Sequence, residues 1–384
     1  MNLIIRRSIE NQILKDLSTK IIILSGPRQC GKTTLSKSLF TSYDYLNYDS
    51  SEDRLKLLKK QWDRKLKMVI FDEIHKMKKW KSWLKGIYDK EGVTPHIMVT
   101  GSAKMNLFKK AGDSLAGRHF NFRLYPFDLK ELNLKFKYHH LSEQEIFNRL
   151  MRVGGFPEPF LNGDPKFYNR WRKSHIDLIL RQDLIDLGSV RDINALETLI
   201  LLLSERVGTP ISYASLAKDL ERDPKTIKAW LNVLENLYVI FKITPFHKDI
   251  ARSIKKEPKY YFYDNGLVRG HDGAKLENIV ACSLLKEVHR LEDVEGFNTS
   301  LYYLKAKGGK EIDFLVLTEN ERPWLIEVKW GERDLSPNFK IFQSHFKNPH
   351  RIQLVYELEK DYMTQDGHEI RRAIPWLSSF NLVP

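Results

Sequence analysis

The chain has 384 residues, of which 42% are hydrophobic and 29% are charged. This length exceeds what one compact core usually holds, so we predict several folded domains and exclude a disordered chain or a small disulfide-held scaffold. The net charge of +14 falls almost wholly on residues 1–125, which hold 25 basic and 12 acidic side chains. Nucleic acid is therefore the leading candidate partner, and a basic surface that only aids solubility is the alternative.

The cysteine count and the hydropathy exclude further classes. Cys30 and Cys282 are the only cysteines and can form neither a disulfide framework nor a four-ligand zinc site, which favours a reducing compartment. No apolar run approaches the length of about 18 residues that a membrane span needs, and we expect no signal peptide. We therefore expect a cytoplasmic protein with no membrane partner.

Residues 1–125 alternate short apolar runs with polar stretches that suit helices. The predicted strands are 21–25, 43–47, 68–71, 97–100 and 120–124. This alternation is typical of a parallel sheet covered by helices, so we predict an α/β core domain here.

A phosphate-binding motif follows the first predicted strand directly. It comprises Gly26, Pro27, Arg28, Gln29, Cys30, Gly31, Lys32 and Thr33, and it leads through Thr34 into a predicted helix. The glycines let backbone N–H groups wrap a phosphate, Lys32 is expected to reach the β- and γ-phosphates, and the Thr33 hydroxyl is expected to bind Mg²⁺. The sequence thus predicts an ATP site with Mg²⁺, and a chance match in a lysine-rich chain is the alternative.

Polar residues also end two later strands of this domain. Asp72 and Glu73 follow strand 68–71, where Asp72 is predicted to complete the Mg²⁺ shell and Glu73 to orient or deprotonate the attacking water. That pair predicts a hydrolase, and two acids that merely begin a surface loop are the alternative. Strand 97–100 ends in Thr100-Gly101-Ser102, whose hydroxyls are candidates for the γ-phosphate or for ordinary turn chemistry.

The middle of the chain is predicted to be largely helical. Residues 126–190 are predicted as a helical lid, in which Gly154-Gly155 begins a helix near the nucleotide. Residues 191–250 are predicted as a winged-helix-like domain, with helix 212–220, a second helix capped by Asp223, and strand 239–243. Lys225, Lys228 and Asn232 are predicted to face outward, toward a DNA groove or a protein partner.

Residues 251–384 return to mixed strands and helices, including a predicted hairpin of strands 309–316 and 324–329. Asp313 is expected opposite Val328 or Lys329, and alternation places Glu327 and Lys329 on one face. Asp313 and Glu327 can then share a Mg²⁺ or Mn²⁺ ion while Lys329 polarises the hydrolytic water. This pattern resembles the restriction-endonuclease-like, PD-(D/E)xK, nuclease fold. The resemblance implies Glu277 as a further metal-binding acid, and a nuclease-like fold that binds without cutting is the alternative.

The motifs together resemble those of the AAA-type P-loop ATPases of bacteria and archaea that carry an uncharacterised C-terminal domain. The matching segments are 26–34, 70–76, 100–102, 114–118 and 154–157, and the resemblance covers nearly the whole chain. It implies Ser102 as the first sensor and Arg118 as an arginine finger that completes a neighbouring subunit's site, hence a homo-oligomer, with a ring as one arrangement. A structural charge is the alternative for Arg118. Whether Arg149 or Arg152 acts as a second sensor is left open.

These observations predict an α/β protein with an AAA-type P-loop core (1–125), a helical lid, a winged-helix domain and a C-terminal restriction-endonuclease-like domain. The leading hypothesis is an ATPase that remodels or translocates DNA, branched DNA included, and that grips or cuts it with the C-terminal domain. One alternative is an ATP-gated signalling switch whose winged-helix and C-terminal domains bind proteins. Another is a winged-helix regulator without nuclease activity.

Overall fold

The computed structural model describes residues 6–101, 115–135, 141–183, 192–247, 257–319, 321–331 and 334–383. The chain divides into two compact units. The first unit comprises Met1–Tyr125 and Asn236–Tyr238, and the second comprises Pro126–Glu235 and Val239–Pro384. Within the described ranges, every helix is too short or too polar to span a lipid bilayer.

A five-stranded parallel sheet forms the centre of the first unit. Its strands are β1 (Ile21–Ser25), β2 (Tyr43–Asn47), β3 (Met68–Asp72), β4 (His96–Gly101) and β5 (His119–Arg123), in the spatial order β2-β3-β4-β1-β5. Strands β1 and β3 are buried along their whole length, because a covered parallel sheet must be apolar on both faces. The five predicted strands are confirmed to within one residue at each end.

Helices connect the strands of the first unit. They are α1 (Glu10–Asp16), α2 (Lys32–Ser38), α3 (Ser51–Lys59) and α4 (Trp80–Glu91), and a 3₁₀ turn, Ile74–Lys76, follows β3. Trp80 and Leu84 of α4 join Phe71 of β3 and Val99 of β4 in one buried cluster. This packing fixes β3 against β4, so the polar residues that end these strands are held side by side.

The second unit contains ten α-helices and eight strands among the residues that the structure describes. The helices are α5 (Leu129–Lys135), α6 (Glu143–Val153), α7 (Pro157–Asn162), α8 (Pro165–Leu178), α9 (Ile193–Ser204), α10 (Tyr213–Asp219), α11 (Pro224–Asn236), α12 (Asp272–Arg290), α13 (Asn338–Phe342) and α14 (Ala373–Ser379). The strands are β6 (Ile240–Pro245), β7 (Lys259–Phe262), β8 (Thr299–Lys305), β9 (Glu311–Thr318), β10 (Trp324–Lys329), β11 (His350–Val355), β12 (Tyr362–Met363) and β13 (Glu369–Arg372).

All eight strands of the second unit belong to one mixed sheet, in the order β12-β13-β11-β10-β9-β8-β6-β7. Strand β6, at the end of the predicted winged-helix domain, pairs in parallel with β8 and antiparallel with β7. Helix α6 of the predicted lid packs against α12 of the predicted nuclease-like domain. The three segments predicted as separate domains are therefore parts of one compact unit, because β6 is hydrogen-bonded into the sheet that the C-terminal strands form.

Two features of the helical region bear on the predictions. Gly154 does not begin a helix: its N–H donates to the Leu150 carbonyl at 3.1 Å and ends α6 at φ +70, and the next helix begins at Pro157. A side chain at Gly154 would meet the Asp264 carboxylate at 2.0 Å, so glycine is required at this helix end.

In α11, the predicted faces are found, with Ile227, Leu231 and Leu234 buried and Lys225, Lys228 and Asn232 exposed.

Candidate active sites

The phosphate-binding loop joins β1 to α2 and turns on two glycines. Gly26 has φ +154, and a side chain there would place Cβ 2.1 Å from the carbonyl oxygen of Leu124. Gly31 has φ +97 at the start of α2, a conformation that glycine adopts without steric cost. The course of the loop therefore depends on glycine at both positions.

The Lys32 side chain lies against the loop backbone. Its Nζ donates to the carbonyl oxygens of Gly26 at 3.0 Å and Pro27 at 2.6 Å, and the residue is buried. When a nucleotide binds in the loop, the Lys32 ammonium can leave these carbonyl oxygens and bind phosphate oxygens instead. Of the other predicted loop residues, Gln29 and Thr34 are exposed.

Asp72, at the end of β3, is the centre of a hydrogen-bonded group of side chains. The Asp72 carboxylate accepts from the hydroxyls of Thr33 at 3.3 Å, Tyr45 at 2.7 Å and Thr100 at 2.5 Å. Burial and the bond to Asp72 raise the pKa of Tyr45, which keeps the phenol a donor. Thr33 and Asp72 supply the oxygen ligands that Mg²⁺ takes, so these residues fit a Mg²⁺ ion carried with a nucleotide.

Glu73 adopts a left-handed backbone conformation, with φ +56. A non-glycine residue in that region carries strain of about 1–3 kcal/mol and is common at functional sites. The Glu73 N–H donates to the Thr100 carbonyl at 2.9 Å, and its carboxylate lies 3.5 Å from Nε2 of His75. Burial raises the pKa of Glu73, and Asp72 raises it further, so Glu73 is a stronger base than an exposed glutamate.

His75 is a neutral neighbour of Glu73. Burial and the Lys76 ammonium lower the pKa of His75 to about 4. The imidazole is therefore uncharged at neutral pH and forms no full ion pair with the Glu73 carboxylate.

Arg7 supports the phosphate-binding loop from the amino-terminal segment, and the sequence analysis did not identify it. Its guanidinium donates to the Cys30 carbonyl at 2.9 Å and to the Tyr125 carbonyl, and only 4% of the residue is exposed. Since Arg7 lies 23 residues before its partner in the loop, no local pattern indicates this contact.

The two residues assigned from the family resemblance have different outcomes. Ser102 lies outside the described residues. Arg118 precedes β5, and its carbonyl accepts from the Ile21 N–H at the amino end of β1. The phosphate-binding loop follows the opposite end of β1, so Arg118 does not belong to its own nucleotide site. Its Nε donates to the Asp89 carboxylate at 2.7 Å.

The second unit holds a cluster of carboxylates around Lys259, which the sequence analysis missed. Lys259 is completely buried, and its Nζ lies 3.2 Å from Glu311 and 3.5 Å from each of Glu277 and Asp313. Burial alone would lower the pKa of Lys259, but the three carboxylates outweigh it and raise that pKa. The sequence offers one signal for this cluster: Lys259 directly precedes the aromatic run 260–263. A lysine buried with such a run needs an acidic partner.

This cluster changes the role predicted for Glu277. Burial raises the pKa of Glu277 to about 7, while Lys259 opposes the shift. The Tyr261 hydroxyl also donates to Glu277 at 2.7 Å. Glu277 therefore belongs to the ion-pair network of Lys259, and among the residues in the described ranges no group of three or more His, Cys, Asp or Glu side chains is arranged to hold a metal ion.

Asp313, Glu327 and Lys329 come together at the middle of the sheet. Strands β9 and β10 pair Ile326 with Phe314, and one further step of this register brings Glu327 level with Asp313, not Val328 or Lys329 as predicted. The observed register corresponds to a turn half a residue earlier in the chain than the predicted one. Each residue of β9 therefore pairs with a β10 residue one position earlier than predicted. Asp313 still accepts from the Val328 N–H at 2.8 Å, and Lys329 Nζ lies 3.3 Å from Glu327.

The Glu327 carboxylate has one oxygen, Oε2, that is buried without a hydrogen-bond partner. Its other oxygen accepts from the Ser336 hydroxyl at 3.3 Å. Burial and the Asp313 carboxylate raise the pKa of Glu327 to about 8, against the opposing effect of Lys329. Two neighbouring carboxylates with an orphaned oxygen fit a divalent cation that keeps several waters, as Mg²⁺ does.

Comparison with known proteins bears on the first unit most directly. Residues 18–133 match the AAA domain family. The first unit thus carries an AAA-type ATPase domain, and the prediction of a P-loop ATPase core is confirmed. Residues 144–277 and 272–377 match two domains of unknown function, DUF8612 and DUF4143, so the winged-helix and nuclease-like domains stay predictions.

Relatives of similar length occur in archaea and bacteria. An uncharacterized protein of Methanocaldococcus jannaschii is 27% identical over 380 residues, covering 90% of this chain and 82% of the relative. An uncharacterized protein of Haemophilus influenzae is 25% identical over 415 residues, covering 98% of both.

Two solved structures resemble the chain at low sequence identity. A variant of Thermotoga maritima RuvB has 16% identity and a TM-score of 0.34, covering 66% of this chain and 96% of its own. The Aeropyrum pernix ORC1 protein, in complex with DNA, has 10% identity and a TM-score of 0.34, covering 73% and 94%.

Proposed function

We propose that this protein couples ATP hydrolysis in the first unit to the remodelling or translocation of DNA. The observation that carries the proposal is the arrangement of Thr33, Asp72 and Glu73 at the ends of β3 and α2, beside the loop that holds Lys32. These are the groups that phosphoryl transfer to water requires: a cation for the phosphates, ligands for Mg²⁺ and a base for the water.

Each residue has a distinct part in the proposed hydrolysis. Lys32 binds the β- and γ-phosphate oxygens, and the loop N–H groups surround the phosphates. Mg²⁺, held by Thr33 and Asp72, supplies charge neutralisation for the phosphates when bound. Glu73 orients the attacking water and takes its proton, a task favoured by its raised pKa.

The charge of the first unit supports DNA as the partner. Most of the net charge of the chain lies in residues 1–125, and many of the lysines there are exposed, including Lys56, Lys59, Lys65, Lys67, Lys78 and Lys79. Exposed lysines bind phosphates by releasing counterions, so the affinity for DNA should fall steeply with salt. The outward Lys225, Lys228 and Asn232 of α11 provide a second candidate DNA surface.

The proposal is tested by ATP turnover in the presence of linear, forked and four-way DNA. DNA should stimulate turnover in the wild type. Lys32→Ala should abolish turnover, and Glu73→Gln should retain ATP binding but lower turnover about 10²- to 10⁴-fold. Lys15→Ala, at an exposed lysine of α1, is the matched control and should behave as wild type. Turnover that is indifferent to every DNA would favour the alternative of an ATP-gated switch that binds proteins.

We also propose that Arg118 completes the nucleotide site of a neighbouring copy. Arg118 lies at the amino end of β1, a strand of five residues and therefore about 16 Å from end to end. Mixing Arg118→Ala with Lys32→Ala should restore part of the turnover that each variant lacks alone, since a mixed assembly contains sites with both residues intact. Variants that stay inactive when mixed, or a wild type that is monomeric while it turns over ATP, would contradict a shared site.

A second candidate activity is metal-dependent cleavage of DNA by the second unit. The orphaned Glu327 oxygen beside Asp313 favours it, with Lys329 adjacent to position the water. DNA cutting that requires Mg²⁺ or Mn²⁺ and that is lost in Asp313→Asn and Lys329→Ala would support it. Cutting that survives in both variants would place the activity at other residues, and a wild type that binds but never cuts DNA would leave the second unit a binding module.

A further inference from the structure

A cavity of about 540 Å³ lies in the second unit, beside the carboxyl ends of β10 and β11. Asn148, Arg149 and Arg152 of α6 line one side of it, and Trp330 and Tyr356 line another. Its volume is within the range of small-ligand sites. The cavity therefore combines aromatic, amide and guanidinium groups in one space.

The two aromatic residues that line the cavity, Trp330 and Tyr356, belong to a stack of three rings. Trp330 lies on Tyr356 with 4.1 Å between ring centroids and 25° between planes, and Tyr356 lies on Phe147 at 5.5 Å and 28°. Phe147 is completely buried, whereas Trp330 is half-buried and forms the outer end of the stack. In the part of the chain that the structure describes, no further ring stacks on Trp330.

Hydrogen bonds fix the two outer rings in place. The Trp330 indole N–H donates to the Glu357 carboxylate at 3.0 Å, and the Gln144 amide donates to the Tyr356 hydroxyl at 3.0 Å. Because the rings are already oriented, a planar ligand that continues the stack loses little side-chain freedom on binding.

The positive and negative charges of the residues that line the cavity balance one another. Arg149 donates to the Phe160 carbonyl at 3.3 Å, while Arg152 is exposed. Glu145 and Asp272 also line the cavity, and Glu145 accepts from the Ser142 N–H at 2.7 Å. With two guanidinium groups and two carboxylates, stacking must supply most of the affinity, and Arg152 is the cation that can reach a phosphate.

The backbone connects the aromatic residues of the cavity to Lys329, one of the proposed DNA-cutting residues. Trp330 follows Lys329 directly, and the Tyr356 N–H donates to the Lys329 carbonyl at 3.1 Å.

We propose that this cavity binds one unpaired nucleotide of a DNA strand, with the base stacked on Trp330 and a phosphate at Arg152. The proposal rests on the function proposed above, that the chain acts on DNA. Aromatic stacking accepts any base, so the site distinguishes unpaired from paired DNA and not one sequence from another.

The test measures binding of full-length protein to a labelled oligothymidylate and to a duplex, by fluorescence anisotropy across a salt series. Trp330→Ala should weaken single-strand binding about 10-fold and leave duplex binding unchanged, and Trp330→Phe should retain most of the affinity. Arg152→Gln, a change at an exposed side chain that leaves the fold intact, should lower the salt slope by about 0.7. Trp376→Ala is the matched control, since Trp376 is also half-buried and stacked, at 4.5 Å on Phe380, but lies outside the cavity.

The outcomes separate this inference from the proposed function. Single-strand affinity that is equal in Trp330→Ala and Trp376→Ala, while the wild type binds DNA, would overturn the inference alone and point to a peptide or another occupant. A wild type that binds neither oligothymidylate nor duplex would overturn both. Binding of free thymidine nucleotide as tight as that of the oligonucleotide would overturn the assignment to a DNA strand.

Discussion

Replacing Lys259 with methionine should destabilise the second unit strongly. The substitution keeps the length of the side chain and removes the charge that Glu277, Glu311 and Asp313 share. Removing one partner of a buried ion pair leaves uncompensated charge and costs about 3–5 kcal/mol. Since Lys259 is completely buried and lies within 3.5 Å of three carboxylates, we expect a value in that range.

The assay is thermal unfolding of the full chain by calorimetry, where a loss of this size lowers the melting temperature of the second unit by roughly 6–20 °C. Lys305→Met is the matched control. The Lys305 ammonium lies 3.7 Å from Glu257, and both side chains are at least a third exposed, so its loss should cost less than about 1 kcal/mol. Adding Glu277→Gln to Lys259→Met should recover part of the loss, because it removes one of the unpaired carboxylates.

The pH dependence of this effect has a definite sign. Glu277 has a pKa of about 7 in the folded chain, so at pH 5 it is protonated and leaves less charge unpaired when Lys259 is absent. The destabilisation should therefore be smaller at pH 5 than at pH 8. Equal stability of Lys259→Met and Lys305→Met at pH 8 would refute the account of Lys259 as the central cation of the cluster.

Three further predictions concern the nucleotide loop and the carboxylates. Gly26→Ala should lose ATP affinity in calorimetric titration, because the new Cβ meets the Leu124 carbonyl, whereas Gly86→Ala, which has open space around it, should bind ATP as wild type does. As pH rises from about 4 to 8, the free energy of unfolding of the wild type should fall relative to that of Glu277→Gln and of Glu327→Gln, since both acids have raised pKa values when folded and ionise near pH 4.3 when unfolded. A difference between wild type and variants that does not change with pH would contradict the raised pKa values of these acids. At pH 8, Mg²⁺ should raise the melting temperature of the second unit in the wild type and not in Glu327→Gln, and an equal rise in both would place the ion elsewhere.

The nucleotide site could be predicted because its chemistry is contiguous. Gly26 to Gly31 form one loop, Thr33 lies in the first turn of the helix α2 that follows it, and Asp72 ends β3. The order of the strands in the sheet therefore brings Asp72 to Thr33. Glycines and charged residues that follow buried strands can be recognised in the sequence. The glycines mark turns that only glycine can form, and the charged residues mark the carboxyl ends of parallel strands, where ligands bind.

The surroundings of the C-terminal carboxylates could be predicted only in part. Asp313, Glu327 and Lys329 were found because a hairpin relates them by alternation, although the register was one residue off. Lys259 reaches Asp313 only through the sheet, since β7 pairs with β6 and β6 with β8. A contact that depends on strand order across several connections leaves no pattern in either segment.

Strand β6 also determines how the protein can be divided. A fragment that starts at residue 251 would lack the neighbour of both β7 and β8, and the exposed edge of β8 would be open to pairing between molecules. Strand β7, which carries Lys259, would have no neighbouring strand to hold that lysine against the acids. Fragments meant to retain the acidic centre should therefore begin upstream of Ile240, and shorter ones are expected to aggregate.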